Sequence, residues 1–209
     1  MSYVICIAGT SGAGKTTLTR AMARRCGNAL IVSFDDYAYA PPSVLPDSRR
    51  WIAEGADPAA WKVPNLTENL SELRQGKPIR HPVTKIVTIP TPIILVEEPF
   101  GRSRPELGKL IDFVAVLDTP LEVALARRLL RELRGAENSE PGRLSSRHIK
   151  FLEEYLEKGV RNLYLAVQRL ALKQADFVLD GLLSPGDMVD KIVSLSPAAP
   201  VAAGALARK

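Results

Sequence analysis

Residues 8–17 read Ala-Gly-Thr-Ser-Gly-Ala-Gly-Lys-Thr-Thr, and no other stretch restricts the fold as much. They contain Gly9-x-x-x-x-Gly14-Lys15-Thr16, the P-loop or Walker A pattern. The apolar run Tyr3-Val4-Ile5-Cys6-Ile7-Ala8 precedes the pattern, and Leu18, Met22 and Cys26 recur every four residues behind it. A strand, a glycine-rich turn and a helix are the context in which this pattern carries meaning. Phosphate oxygens reach the backbone only if side chains are missing at Gly9, Gly12 and Gly14, where the dihedrals also favour glycine. The N–H groups of residues Gly9, Thr10, Ser11, Gly12, Ala13, Gly14, Lys15, Thr16 and Thr17 then form an anion nest at a helix N-terminus. Lys15 is expected to reach the β- and γ-phosphates of ATP, and the Thr16 hydroxyl to hold Mg²⁺.

The rest of the chain reads as repeated strand and helix. Residues 29–34 form a short apolar run, which with the first strand and helix makes a right-handed βαβ unit. Asp35-Asp36-Tyr37 follows it, at the carboxyl end of a strand, where open α/β sheets bind ligands. A carboxylate there serves an attacking hydroxyl or a metal-bound water, or it merely satisfies a turn. Residues 38–64 are rich in proline and carry both tryptophans, Trp51 and Trp61, which either wall a pocket or pin the insertion to the domain. A short helix is expected over residues 49–54, and another from an Asn65 cap to Gly76. Residues 79–90 alternate as a small strand pair at a sheet edge or in a lid, with His81 structural.

Residues 93–96 give a third strand ending in Glu97-Glu98, where carboxylates serve Mg²⁺ through water. Residues 113–117 give a fourth, followed by Asp118 or Thr119 as cap and Pro120 in the first turn of the next helix. That helix presents Arg127, Arg131 and Arg134 on one face, with Arg128 about 100° aside. The polar stretch beyond it completes a lid over about 127–143, where the arginine fork suits phosphate oxygens. One helix or two span residues 144–174, with Gly159 a kink and His148 solvated. A fifth strand at 175–180, a helix capped by Ser184 with Pro185 at its start, and a disordered Ala/Pro-rich tail at 197–209 complete the expectation.

Composition narrows the function classes. With 46% hydrophobic and 24% charged residues over 209, the chain is an ordinary globular one, with a single domain over 1–196. No apolar run approaches a membrane span. Cys6 and Cys26 have no metal or disulfide spacing, which points to the cytoplasm. The net charge of +5 reflects either a basic nucleic-acid surface or an arginine clamp on an anionic ligand. Arginines gathered in residues 127–147 without interleaved aromatics favour the clamp over nucleic acid.

Taken together, these motifs resemble the uridine kinase, nicotinamide riboside kinase and phosphoribulokinase group of P-loop kinases, over roughly residues 3–195. The resemblance rests on Gly9–Thr17, Ser33–Tyr37, Ile93–Glu97, Asp118–Arg131 and Ala175–Leu179. It implies a five-stranded parallel sheet of order 2-3-1-4-5 with helices on both faces, and ATP/Mg²⁺-dependent phosphorylation of a hydroxyl on a nucleoside-like or other small metabolite. By the same resemblance Asp35 is the catalytic base, Glu97 serves Mg²⁺, and the family's lid run Arg-Arg-x-x-Arg falls on Arg127, Arg128 and Arg131, of which Arg127 and Arg131 join Lys15 in catalysis. Asp36, Tyr37, Trp61, Lys62 and Arg161 make up the expected substrate set. Two departures stand out. The family usually follows its pocket aromatic with an Asp that holds ribose hydroxyls, whereas here Lys62 follows Trp61, and a cation there attracts an anionic acceptor instead. The usual Gly after the metal-side Glu is replaced by Glu98, leaving Glu97 and Glu98 as alternatives. A homodimer is compatible with the sequence. The competing class is a regulatory or partner-binding module that binds ATP on the same fold without transferring phosphate.

Overall fold

The structure is a computed structural model, and it describes residues 1–135 and 146–196. Its centre is a parallel sheet of five strands: β1 (Tyr3–Ala8), β2 (Leu30–Ser33), β5 (Ile93–Glu97), β6 (Phe113–Asp118) and β7 (Phe177–Asp180), ordered β2-β5-β1-β6-β7. The strands β3 (Ile79–Arg80) and β4 (Val87–Thr88) pair only with each other, as a separate antiparallel hairpin. Numbered without that hairpin, the large sheet runs 2-3-1-4-5.

The inner strands β5, β1 and β6 are apolar on both faces because helices cover both. Successive side chains alternate between the two layers. Val4, Cys6 and Ala8 of β1 join one core with Leu66, Leu70 and Leu73 of α4 (Pro64–Arg74) and Ala171 of α8 (Val160–Lys173). Ile5 and Ile7 join the other, with Leu18 and Met22 of α1 (Lys15–Arg25) and Met188, Val189 and Ile192 of α9 (Pro185–Leu195). The remaining helices are α2 (Asp35–Ala38), α3 (Ser48–Ala53), α5 (Pro105–Gly108), α6 (Leu121–Gly135) and α7 (Ser146–Glu157).

Several sequence expectations are corrected here. α4 starts two residues early, with Pro64 in its first turn and Val63 at the cap, so Asn65 does not cap it. Proline at that position already lacks the N–H that a cap would satisfy. Neither expected cap of α6 faces the helix: Thr119 Oγ1 donates to Ala13 O (3.1 Å), and Asp118 Oδ1 accepts from Gln168 Nε2 (2.6 Å). Residues 146–173 form two helices, with Gly159 at φ +83 between them. His148 is 4% exposed and lies 3.9 Å from Glu132 Oε2, because the face of α7 that carries it packs inward; it is not solvated. Ser184 does cap α9, accepting from Asp187 N. The expected lid beyond residue 135 and the tail at 197–209 lie outside the described residues.

Candidate active site

The strand order puts the carboxyl ends of β2, β5 and β1 side by side, and each delivers one part of the site. β1 runs into the glycine-rich turn, where Gly9, Gly12 and Gly14 have φ of +143, +84 and +106. These values favour glycine, as the sequence required. Space explains Gly12 differently, however. A Cβ there would lie 2.1 Å from Ala124 O, so glycine lets the loop press against α6 rather than only against a ligand. Lys15 Nζ folds back to donate to Thr10 O at 3.0 Å. Burial of the ammonium lowers its pKa, while Glu97 and Asp35 oppose that shift.

β5 delivers Glu97, whose Oε2 accepts from Thr16 Oγ1 at 2.9 Å. Burial pushes the Glu97 carboxyl above the ordinary carboxylate value, against the Thr16 hydrogen bond and Lys15. Glu98 points the other way, into the protein, and is fully buried against Arg104, with Nη2 to Oε2 at 2.6 Å. Of the two alternatives, only Glu97 therefore faces the P-loop. β2 delivers Asp35, which lines the cleft between the strand ends.

That cleft has two parts. One, of about 270 Å³, lies along the P-loop among Ser11, Gly12, Gly14, Thr16, Thr17, Arg127 and Arg131. The other, of about 450 Å³, extends from Thr10 and Ser11 to a wall of Trp61, Phe100, Phe151, Leu163, Tyr164 and Val167. Ser11, Lys15, Asp35, Glu97 and Arg131 border both. Gly9 and Ala13 sit behind the loop, with Ala13 fully buried.

The expected substrate residues separate. Trp61 lines the cleft, whereas Trp51 is 2% exposed and pins the insertion, its Nε1 donating to Asp57 O (2.6 Å) and its ring 5.7 Å from that of Trp61. Lys62 is exposed and outside the cleft: it pairs with Val44 in an extended bridge, where neighbouring side chains alternate, so Trp61 faces in and Lys62 out. Tyr37 is 2% exposed within the core, its hydroxyl accepting from Asn69 Nδ2 (3.2 Å). Asp36 faces His81 Nε2 at 3.5 Å, not the cleft. Arg161 is exposed on α8, outside the cleft. Arg127 borders the P-loop but is held there by backbone, its Nη1 donating to Gly181 O (2.9 Å) and Ala13 O (3.4 Å).

Tyr39 and Arg128 line the cleft although neither belongs to the expected catalytic or substrate set; the sequence places Arg128 only in the lid's arginine run. Tyr39 lies four residues after Asp35, one helical turn on, and shares its face. Arg128 lies in the cleft with its guanidinium 3.9 Å from the Phe151 ring centre, bonded to Tyr164 Oη and to Glu132 Oε1 (3.0 Å). The oxygen donors Thr16 and Glu97, beside an anion nest and a lysine, fit a phosphate-bound Mg²⁺, a hard cation that keeps much of its water.

A glycine-rich strand-to-helix turn with this lysine, at the carboxyl edge of a 2-5-1-6-7 parallel sheet, defines a P-loop nucleotide-phosphate-binding protein. The chain belongs to the Phosphoribulokinase / Uridine kinase family, whose sequence profile matches residues 4–170. A uridine kinase of Oceanobacillus iheyensis is 30% identical over 187 residues, covering 84% of this chain and 85% of that one. A uridine kinase of Deinococcus deserti is 29% identical over 188 residues, covering 85% and 86%. Among solved structures, a shikimate kinase from Acinetobacter baumannii in complex with shikimate superposes with a TM-score of 0.52 at 19% identity, covering 93% of both chains. A sugar kinase from a Janibacter species gives 0.51 at 16%, covering 95% of this chain and 98% of that one. At those identities the two structures speak for the fold alone. The protein is therefore a small-molecule kinase, a phosphotransferase with a hydroxyl acceptor that uses a nucleotide. Among the described residues, no helix is long and apolar enough to cross a membrane.

Proposed function

We propose that the protein transfers the γ-phosphoryl group of ATP, with Mg²⁺, to a hydroxyl of a nucleoside-like or other small metabolite. The observation that carries this reading is one continuous cleft. Lys15, Asp35, Glu97 and Arg131 meet where its two parts join, and an aromatic wall closes the far end. Such a cavity supplies charge for a transferring group at one end and an apolar surface for a planar acceptor at the other.

In this reading the loop N–H groups and Lys15 bind the phosphates, and Lys15 exchanges its bond to Thr10 O for an anion. Thr16 and Glu97 would hold Mg²⁺, which would neutralise charge on the phosphoryl group that ATP supplies. Arg131 faces the transferring group from α6, and Arg127, bound to backbone, braces the loop. Asp35 would orient the acceptor hydroxyl and take its proton as that oxygen bonds to the γ-phosphorus and the bond from that phosphorus to the departing ADP breaks. Trp61 stacks on the acceptor. The relatives named uridine kinase make nucleosides the first acceptors to try. Lys62, outside the cleft, gives no reason to expect an anionic acceptor. A cytoplasmic location fits Cys6 and Cys26, both free and buried.

The test is ADP release from Mg-ATP across nucleosides, nicotinamide riboside, phosphorylated sugars and glycerate-like acids, with Asp35→Asn as control. Asp35-dependent release with one acceptor supports the reading. Release that no acceptor stimulates overturns it.

A further inference from the structure

Glu98 and Arg104 form a buried ion pair directly beneath the cleft that the proposed reaction leaves unused. Glu98 is 0% exposed and the Arg104 side chain 6%. Replacing such a pair by apolar side chains is often neutral or stabilising, because desolvating two charges offsets their attraction. Stability alone therefore gives little reason for it, and its contacts give a better one.

The chain leaves β5 at Glu98, breaks at Pro99 and reaches Arg104 through a turn closed by Ser103 N donating to Phe100 O at 3.1 Å. The guanidinium then engages partners in three directions, two of them through its N–H groups. Its Nε and Nη2 fork onto the two oxygens of Glu98 at 3.2 and 2.6 Å. Its Nη1 donates to Trp61 O at 3.2 Å. Its flat face lies 5.2 Å from the centre of the Phe34 ring. Glu98 also accepts from Phe100 N at 3.4 Å. Each partner adjoins or belongs to the cleft: Phe34 precedes Asp35, Glu98 follows Glu97, and Trp61 and Phe100 are part of the wall. The ends of β2 and β5 are themselves joined, with Phe34 N donating to Glu97 O at 2.9 Å.

We propose that Arg104 is a positioning residue that holds the aromatic wall in register with the carboxylates Asp35 and Glu97, so that an acceptor resting on Trp61 presents its hydroxyl to Asp35. The inference rests on the kinase reading above for its catalytic consequence. Arginine is required because one planar fork must satisfy a carboxylate and a carbonyl at once, which a lysine ammonium cannot do in the same geometry.

Three variants separate positioning from folding. Arg104→Lys keeps a buried cation and loses the fork. Arg104→Met leaves Glu98 unpaired and is expected to lower the unfolding temperature. Glu98→Leu with Arg104→Met removes both charges and recovers that temperature. In Arg104→Lys and in the double variant, acceptor kcat/KM falls roughly tenfold to a hundredfold, the scale of a misplaced near-attack geometry. KM for ATP stays within about twofold in Arg104→Lys, which keeps both charges and so keeps the field of Glu98 on Lys15. Acrylamide quenching of Trp51 and Trp61, the two tryptophans of the chain, rises in both variants without any substrate.

Wild-type acceptor kinetics and quenching in the double variant would overturn the proposal. If the double variant does not fold, Arg104→Lys decides by the same two readouts. A wild-type protein that phosphorylates no acceptor sinks the kinase reading alone. The quenching then still decides whether Arg104 holds the wall.

Discussion

Gly12 offers a test of how firmly the P-loop is fixed to the helix behind it. Gly12→Ala introduces two costs that a second glycine separates. Gly12 and Gly76 share a φ of +84, but a Cβ on Gly76 meets nothing within 4 Å, whereas one on Gly12 lies 2.1 Å from Ala124 O. Gly76→Ala therefore carries only the left-handed penalty, about 1–2 kcal/mol. Gly12→Ala carries that and a displacement of roughly 1.3 Å, needed to bring the methyl to ordinary contact at 3.4 Å. Overpacking of that kind adds about 1–3 kcal/mol. The totals, about 2–5 against 1–2 kcal/mol, correspond to unfolding temperatures lowered by about 4–20 °C and 2–8 °C in a domain of this size. Urea titrations and thermal melts of both variants measure the difference. Nucleotide binding, followed by its thermal shift, weakens in Gly12→Ala and not in Gly76→Ala. Equal losses in the two variants, with nucleotide affinity intact in both, would show that α6 gives way freely and that Ala124 does not hold the loop.

Asp35→Asn is expected to lower kcat by about 10²–10⁴-fold while leaving ATP affinity unchanged, whereas Lys15→Ala loses both; steady-state kinetics with nucleotide titration distinguish them. Glu97 carries a pH signature. Burial raises its pKa in the folded state, so the stability it contributes is complete below the unfolded carboxylate pKa and is lost as pH rises through the raised value. Glu97→Gln should remove that loss, making the ligand-free variant more stable than wild type at neutral pH in chemical denaturation, with no such gain in acid. Trp61→Ala should raise KM for the acceptor about tenfold or more through lost stacking, and Lys62→Ala should leave it unchanged; equal effects would return Lys62 to the pocket.

The parts of the site that strand ends carry were legible in the sequence. Continuous apolar runs mark parallel strands covered on both faces, and residues that interrupt such a run at its carboxyl end must emerge at the sheet's edge. Gly9–Thr17 and the acid pairs Asp35-Asp36 and Glu97-Glu98 were readable in this way, but not which member of each pair faces the cleft; the structure brings Asp35 and Glu97 to the P-loop. Side-chain direction beyond the strand ends was not. Asp35-Asp36-Tyr37 looks like a strand end, but the chain turns helical there, so residues two apart face opposite ways and Tyr37 enters the core. Tyr39 follows Asp35 instead. At residues 61–63 the chain is extended, and alternation expels Lys62. Arg104 lies in a turn with no periodicity to betray it. One signal was available: a second acid, Glu98, at the end of a fully apolar strand demands a buried cation within reach. Arg128 was legible only as a member of the lid's arginine run and not as a wall of the cleft, because its partners Tyr164 and Phe151 come from distant elements.

The two ends of the cleft are built from different kinds of chain. The phosphate end rests on strand termini that cannot shift without shifting the sheet. The aromatic end is carried by a loop-rich insertion and by helices arriving much later in the sequence. The two halves are therefore unequally open to evolutionary drift. Substitutions around Trp61 can reshape the far wall while the phosphate machinery is inherited intact, provided each new wall keeps a carbonyl where Arg104 can find it.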